Sequence, residues 1–185
     1  PDDALYGIHT LRAVHNFPIS TELMHPLIIQ SLVQIKKAAA SVNAAAGTLT
    51  SAKAQAIIAA CNQLLLGRYA DNFIVPAIQG GAGTSANMNV NEVVANLAHQ
   101  LVPAVTVHPN DDVNQSQSTN DTFPTAGKMA LQIQLPGLLT ALSRLVQTLL
   151  VKSQRYQDAI KVGRTQLEDA VPTTYGRTFH AYYQL

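Results

Sequence analysis

Three polar segments, set between long apolar stretches, carry the side chains best suited to chemistry. The first, GAGTSANMN (81–89), places the neutral donors Thr84, Ser85 and Asn87 just after two glycines and at the start of a predicted helix. Glycines let a backbone approach a ligand closely, and a helix N-terminus favours an anion. This segment can therefore hold a carboxylate or a phosphate. A glycine turn with an ordinary helix cap is the structural alternative.

The second segment is VHPNDDVNQSQSTNDTFPTA (107–126), and most of its residues are polar. Its run Ser118-Thr119-Asn120 offers hydroxyl and amide groups that can bind a carboxylate without a full positive charge. A solvated loop with Asx turns and a helix cap is the alternative, and it accounts for Asn120 and Asp121. In the third segment, GRTQLEDAVP (163–172), Thr165 and Gln166 again pair a hydroxyl with an amide. Arg164 is interpreted as a partner in a structural ion pair.

Composition excludes several classes of protein. The 185 residues carry a net charge of +1, and only 12% are charged, without a charge block that would attract nucleic acid or a lipid surface. The single Cys61 and the scattered histidines have no zinc spacing, so no metal is expected. No run of eighteen apolar residues predicts a membrane span, and the N-terminus shows no leader. A cytoplasmic protein is expected.

The positioning elements are predicted to be helices, since Ala, Leu and Gln dominate the apolar stretches. Helices are predicted at 26–46, 51–66, 87–101, 124–160 with an interruption at Pro136-Gly137, and 173–185. Residues 67–86, 103–123 and 161–172 are predicted to be loops, with one short strand possible at 105–107. A leucine-rich stripe over 135–150 indicates a helix buried on more than one side. The low charge favours packing against another subunit or membership of a larger protein.

The polar segments and the N-terminal sequence, taken in order, resemble the aspartase/fumarase superfamily. The segments that carry the resemblance are DALYGIHTLRAVHNFPIS (3–20), GAGTSANMNVNEVVANLA (81–98), 107–126 and 163–172. The resemblance implies an all-α fold, with an N-terminal helical domain over 1–122 and the beginning of a central helical-bundle domain over 123–185. It also implies a homotetramer whose active sites combine loops of three subunits. The implied reaction forms fumarate from a four-carbon dicarboxylate without any cofactor.

The resemblance further assigns roles to the polar residues. It places Thr84, Ser118 and Thr119 on the carboxylate that gains negative charge, and Asn120, Thr165 and Gln166 around the other carboxylate and the amine. Arg12 matches an arginine linked to substrate handling, and His9 lies in the same motif. An accessory dicarboxylate site is implied at His108, Asn110 and Asp111. We expect the three polar segments of one chain to lie at separate places, because each would serve a different site.

Two activities of the superfamily remain to be separated. Gln166 stands where fumarases usually have a histidine that activates water, and an amide is no general base but can bind an ammonium group. Ser118-Thr119-Asn120 and YGIHT also match aspartase-type members, whereas HPNDDVN, around His108, is more like fumarase. Deamination of aspartate is therefore the predicted reaction. Class II fumarate hydration is one alternative, and a non-catalytic helical oligomerisation fragment is another.

The superfamily's catalytic base is a serine in a loop of the type Gly-Ser-Ser-x-Met-Pro-x-Lys-x-Asn. No Ser-Ser pair occurs in the 185 residues. The resemblance therefore places the catalytic serine beyond Leu185, and no catalytic residue is expected within this chain. These residues alone are expected to be inactive, since nothing in them replaces a positioned base.

Overall fold

Helices and one β-hairpin make up the regular structure of residues 3–185 in a computed structural model. In chain order they are α1 (Ile8–Asn16), α2 (Pro26–Ala45), α3 (Ser51–Leu65), α4 (Thr84–Leu101), α5 (Thr119–Arg155), β1 (Ile160–Thr165), β2 (Glu168–Thr174) and α6 (Tyr175–Gln184). A 3-10 turn at Ala70–Asn72 and a π-helical turn at Pro109–Val113 lie in the connections. The expectation that the N-terminus shows no leader concerns Pro1 and Asp2, and these two residues lie outside the described residues. The predicted helical class is confirmed.

Local signals at their ends explain why α2 and α3 form where the sequence predicts. Pro26 occupies the first turn of α2, where its missing N–H costs nothing, and the His25 ring accepts the Leu27 N–H at 3.2 Å. Thr50 Oγ1 caps α3 by accepting the Lys53 N–H at 3.4 Å. Gly47, just after α2, has a φ of +75°, a left-handed conformation that suits glycine at a helix end.

The apolar core lies between α2, α3 and α4, and α1 packs against α4. Its side chains that are at most 1% exposed include Leu32, Val33, Ile57, Ala60, Val90, Val93, Val94 and Leu97. Fully burying each of the larger ones stabilises the fold by about 1.5–3 kcal/mol. Helices α1, α2 and α3 all contact α4 and hold it in place. Helix α4 carries the first polar segment at its N-terminus.

Two predicted helices begin earlier than expected. Helix α4 starts at Thr84 instead of residue 87, because Gly83 with its positive φ ends the turn. Helix α5 starts at Thr119 instead of Pro124 and ends at Arg155 instead of residue 160. It also runs without a break through Pro136, so the predicted interruption is wrong. A proline removes one backbone hydrogen bond, and the bonds on both sides outweigh that loss.

The predicted third loop is also wrong, because residues 160–174 form an antiparallel hairpin. The strands pair from Ile160 with Thr174 to Thr165 with Glu168, and a bulge at Gly163 shifts the register. Pro172 lies in a two-stranded sheet, in which every strand is an edge and tolerates a missing N–H. Residues 105–107, by contrast, do not form the short strand considered possible.

Helix α5 exposes its leucine stripe, although the stripe was predicted to be core. The large apolar side chains that are about half exposed or more include Leu131, Ile133, Leu135, Leu138, Leu139, Leu142 and Leu145. By length and composition α5 could also cross a membrane, with 6% of its most apolar stretch buried. Scattered polar residues such as Gln134 and Arg144 interrupt the apolar runs of a helix that is apolar on average, so the sequence shows no continuous apolar run. Core helices of soluble bundles share this length and composition.

The chain divides into two compact units within α5. One unit ends at Ile133 and the other spans Gln134–Leu185. The first contains the apolar core and the first two polar segments, and the second contains the hairpin. The predicted domain boundary after residue 122 concerns the whole protein and stays a prediction.

Candidate functional site

The turn before α4 brings glycine backbone beside an exposed hydroxyl. Gly81 and Gly83 have φ angles of +76° and +92°, which glycine adopts without strain. A Cβ on Gly83 would lie 2.4 Å from the ring of Phe123, so the turn packs closely on the start of α5. Thr84 is exposed, and its Oγ1 donates to the carbonyl of Gly81 at 2.7 Å. The predicted residue Thr84 thus lies at the surface, where α4 begins.

The start of α5 presents the second set of predicted residues. Ser118 and Asn120 are exposed, and Ser118 Oγ accepts the backbone N–H of Asn120 at 3.2 Å. Thr119 is half-buried, and its Oγ1 accepts from Asn87 Nδ2 at 3.1 Å. The run therefore combines a helix N-terminus with neutral hydroxyl and amide groups. Such groups can stabilise a carboxylate without an ionised partner.

The first two polar segments are in contact, which the expectation of separate places did not foresee; the expected separation of Thr84, the 118–120 run and the Thr165-Gln166 pair stays a prediction. The bond between Asn87 and Thr119 joins them directly. Beside it is a depression of about 480 Å³, lined by Ala77, Gln79, Ala82, Gly83, Asn120, Phe123 and Pro124. The physical reason is that α4 and α5 begin side by side, which sequence spacing does not reveal. Gly83, which precedes Thr84, and Asn120, which follows Thr119, therefore line the same depression.

A buried glutamate fixes the helix that carries Arg12. Glu92 of α4 is 4% exposed and accepts four hydrogen bonds: from the N–H groups of Gly7, His9 and Thr10 at 2.8, 3.0 and 3.1 Å, and from the Thr10 hydroxyl at 2.6 Å. A carboxylate is favoured at a helix N-terminus, where N–H groups lack partners. Arg12 and His9 are exposed on α1, so Glu92 determines where these two predicted residues lie.

A buried lysine lies behind the site. Lys36 of α2 is fully buried, and its Nζ donates to Asn114 Oδ1 and Gln117 Oε1, both at 2.9 Å. Asn114 Oδ1 also accepts from Asn87 Nδ2 at 3.0 Å and from Asn91 Nδ2 at 3.3 Å. A lysine that is fully buried is normally paired with a carboxylate, whereas the partners here are neutral amides. Burial lowers the pKa of Lys36 from 10.5 to about 7.

This lowered pKa predicts a pH-dependent stability. Between about pH 7 and 10.5 the unfolded chain keeps a proton on Lys36 that the folded chain releases, so stability rises with pH across this window. Below about pH 7 both states hold the proton, and the cost of burying the charge is fully present. The free energy of unfolding of the wild type, minus that of Lys36→Met, should rise by about 2 kcal/mol from pH 7 to pH 9. Urea unfolding of the purified protein at several pH values measures this difference.

That experiment has a matched control variant, and the titration of the Cys61 thiol does not disturb it. Lys37→Met removes a partly exposed charge from the same helix and should give no comparable slope. Burial raises the pKa of the Cys61 thiol to about 12, and Cys61 is present in both proteins, so its own titration largely cancels from the comparison. A flat difference between wild type and Lys36→Met from pH 7 to pH 9 would show that Lys36 keeps its proton in the folded state.

The three residues predicted for an accessory site share the π-helical turn. His108 Nδ1 accepts the Asp111 N–H at 3.1 Å, and Asn110 Nδ2 donates to Asp111 Oδ1 at 3.3 Å. All three are exposed. Beneath them Lys53 Nζ contacts both oxygens of Asp112 at 2.8 and 2.9 Å, and Asp112 Oδ2 accepts the His108 N–H at 2.8 Å. This ion pair anchors the turn and leaves His108, Asn110 and Asp111 facing solvent.

Thr165 and Gln166 lie at the tip of the hairpin, in the second unit. Gln166 and Leu167 form its two-residue turn with φ angles of +51° and +67°, a conformation usually adopted by Asn or Gly. Leu167 is 96% exposed. Arg164 Nε pairs with Asp169 Oδ1 at 3.1 Å, which confirms the predicted ion pair. The turn thus holds Gln166 in a strained backbone conformation, and such strain is common at functional sites.

Sequence reasoning missed Lys36, Glu92 and Asn114. A signal existed for Lys36, since it follows Leu32 by four residues and Val33 by three and therefore lies on the core face of α2. Glu92 had a similar signal among the apolar residues of α4. For Asn114 there was none. Within residues 3–185 no group of three or more His, Cys, Asp or Glu side chains is arranged to hold a metal ion.

Comparison with known proteins identifies the class to which this helical fold and donor-rich site belong. The chain matches the family described as "Lyase" over residues 1–185, and it belongs to that family. This match, together with the relatives and structures below, confirms the resemblance to the aspartase/fumarase superfamily.

Individual relatives and solved structures are similar to this chain over nearly its whole length. Aspartate ammonia-lyases from Pseudomonas aeruginosa and Helicobacter pylori are each 47% identical to this chain over 98% of its length and 40% of theirs. Among solved structures, the native form of a fumarate lyase:delta crystallin from Brucella melitensis has a TM-score of 0.86 at 46% identity, covering 100% of this chain and 44% of that one. A class II fumarase from Schistosoma mansoni has a TM-score of 0.85 at 36% identity, covering 100% and 40%. The chain spans about 40% of the length of the curated relatives it matches.

Proposed function

We propose that the whole protein containing this chain deaminates L-aspartate reversibly to fumarate and ammonia. The observation that carries the proposal is the contact between the first two polar segments, where Asn87 donates to Thr119 and where Gly83 and Asn120 line one depression. The relatives named aspartate ammonia-lyase, at about 46% identity, support the same reaction. The site offers neutral donors, as a reaction that develops negative charge on a carboxylate requires.

The chemistry explains why hydroxyl and amide groups suit this site. A base removes the proton from C3 of aspartate, and the electron pair moves into the neighbouring carboxylate, which becomes a doubly negative aci-carboxylate. Collapse of this intermediate forms the C2–C3 double bond and breaks the C2–N bond, releasing ammonia. Donors aimed at the carboxylate lower the barrier as its charge grows. The base serine is proposed to lie beyond Leu185, so the 185 residues alone stay predicted to be inactive.

The exposed stripe on α5 supports an oligomeric enzyme. The half-exposed leucines of α5 form an apolar surface that a soluble monomer rarely leaves open. We propose that α5 packs into a helical bundle of four subunits, and that the hairpin tip with Thr165 and Gln166 completes a site together with donors of other subunits. Light scattering of the whole protein measures the subunit number directly.

The Gln166 side chain provides the test of substrate identity. If its amide binds the substrate ammonium, Gln166→Ala in the whole protein should lower kcat/KM for aspartate by about 1–3 kcal/mol, or roughly 5- to 150-fold. The ultraviolet absorbance of fumarate reports turnover of aspartate and, separately, of malate. Gln34→Ala, an exposed glutamine on α2, is the matched control. Wild-type deamination by Gln166→Ala would remove the main reason for preferring aspartate.

Hydration of fumarate is the second candidate function. The turn that presents His108, Asn110 and Asp111 is the observation in its favour, together with the similarity to a class II fumarase. Turnover of malate without turnover of aspartate in the assay above would establish this alternative. Absence of both activities in the whole protein would favour a non-catalytic helical oligomer.

A further inference from the structure

The Lys36 ammonium is connected to the proposed site by a short series of hydrogen bonds. Its Nζ donates to Asn114 Oδ1, which also accepts from Asn87 Nδ2, and the same Asn87 nitrogen donates to Thr119 Oγ1. The three distances are 2.9, 3.0 and 3.1 Å. Lys36 is in none of the ion pairs within residues 3–185. One of its N–H groups is therefore directed at the Asn114 oxygen, which is connected to Thr119 through Asn87.

The Asn87 amide depends on these two contacts. It is 3% exposed, and its Oδ1 has no hydrogen-bond partner within residues 3–185. Its orientation is therefore held through Nδ2 alone, by Asn114 and Thr119. The Asn114 amide is oriented by three of its bonds: its oxygen accepts from Lys36 Nζ at 2.9 Å and from Asn91 Nδ2 at 3.3 Å, and its Nδ2 donates to the Gln117 carbonyl at 3.1 Å. Loss of the Lys36 amino group would remove the shortest bond that the Asn114 oxygen accepts and so loosen the amide that holds Asn87.

The bond from Asn87 determines what the Thr119 hydroxyl can do. Its oxygen is occupied as an acceptor, so its hydrogen must point elsewhere, and the hydroxyl has no acceptor of its own within residues 3–185. Thr119 is half-buried at the start of α5, next to the exposed Ser118 and Asn120. Its hydrogen is therefore available for a carboxylate bound at this surface.

We propose that Lys36 is a positioning residue for the substrate-binding hydroxyl of Thr119, acting through the amides of Asn114 and Asn87. The proposal rests on the proposed function of the site. Lys36 does not touch the substrate. It holds the Asn114 oxygen in place, and that oxygen holds the Asn87 amide. The Asn87 amide in turn commits the Thr119 hydroxyl to donating a hydrogen bond to the carboxylate that becomes the aci-carboxylate.

A double-mutant cycle in the whole protein tests this series of contacts. Lys36→Met and Asn87→Ala should each lower kcat for aspartate by about 100-fold, the typical cost of misplacing a reacting partner, with KM changed less than about threefold. In a Thr119→Val background, Lys36→Met and Asn87→Ala should each lower kcat by less than a further factor of about three, because the hydroxyl that they position is already gone. Lys37→Met, on the same helix, should leave kcat within about twofold.

A binding measurement separates failure of this proposal from failure of the proposed function. The nitronate of 3-nitropropionate carries its negative charge on two oxygens, as an aci-carboxylate does, and binds without proton removal. Calorimetry should show that Lys36→Met and Asn87→Ala bind it about 100-fold more weakly than wild type, again without a further loss in the Thr119→Val background. If Lys36→Met is insoluble, Asn87→Ala carries the same test, since it leaves the ammonium and both of its acceptors in place.

The outcomes are distinct. Suppose that the wild-type protein turns over aspartate. If the effects of Lys36→Met and Thr119→Val are then additive, or if kcat is unchanged in Lys36→Met and Asn87→Ala, the role of Lys36 is overturned and the proposed function stands. A wild-type protein that neither turns over aspartate nor binds the nitronate overturns the proposed function and this inference with it. Turnover of malate with a non-additive cycle supports the role of Lys36 while rejecting deamination.

Discussion

Thr119→Val in the whole protein is expected to lower kcat for aspartate by about 100- to 1,000-fold, the usual cost of removing one donor to a developing oxyanion. Valine keeps the shape of threonine and its place in the first turn of α5, so the change removes a hydroxyl and little else. Asn87 Nδ2 also loses one of its two acceptors and keeps the other, Asn114 Oδ1. Initial rates from the absorbance of fumarate, over a range of aspartate concentrations, separate kcat from KM.

Two further variants show whether the hydroxyl itself matters. Thr119→Ser retains the donor and should recover most of the activity. Thr106→Val removes an exposed threonine from the connection before the π-helical turn and should leave kcat unchanged. If Thr119→Val stays within about threefold of wild type, Thr119 does not bind the carboxylate that takes up negative charge.

Glu92→Ala is expected to lower the free energy of unfolding by about 3–5 kcal/mol. The carboxylate accepts three backbone N–H groups and one hydroxyl, and alanine leaves these donors without their partner at a position that is 4% exposed. A Cβ at Gly7 would lie 2.7 Å from the Glu92 carboxylate, which shows how closely the N-terminus of α1 encloses it. Urea unfolding of wild type and variant measures the loss.

The control for this prediction is an exposed glutamate. Glu22→Gln removes a charge that the structure leaves in solvent, and it should change stability by less than about 0.5 kcal/mol. Glu92→Gln should be intermediate, since the amide keeps one accepting oxygen but places an NH2 group against other donors. Because α1 carries Arg12 and His9, Glu92→Ala should also weaken any role these residues have in substrate handling. A stability loss below about 1 kcal/mol would mean that water replaces the carboxylate.

Part of the fold followed from the sequence because its signals are local. Helices α2 and α3 begin at the predicted residues and end within one residue of the prediction, since Pro26, Thr50 and the glycines after each helix act on neighbouring backbone. The hairpin was missed for the opposite reason. Its strands are short and interrupted by Gly163 and Pro172, and pairing between Ile160 and Thr174 stabilises a conformation that neither strand would adopt alone.

The sequence by itself determined the residue types of the site: Thr84 and the run Ser118-Thr119-Asn120 stand out because hydroxyl and amide groups cluster in short polar segments. Only the tertiary structure decided that these two segments meet, that Lys36 is connected to them through Asn114, and that Glu92 binds the N-terminus of α1. The bonds that connect Lys36 to Asn114 and Glu92 to His9 join residues 78 and 83 positions apart. Spacing along the chain predicts which face of a helix is apolar, but the partner of a charged residue on that face depends on how distant elements pack.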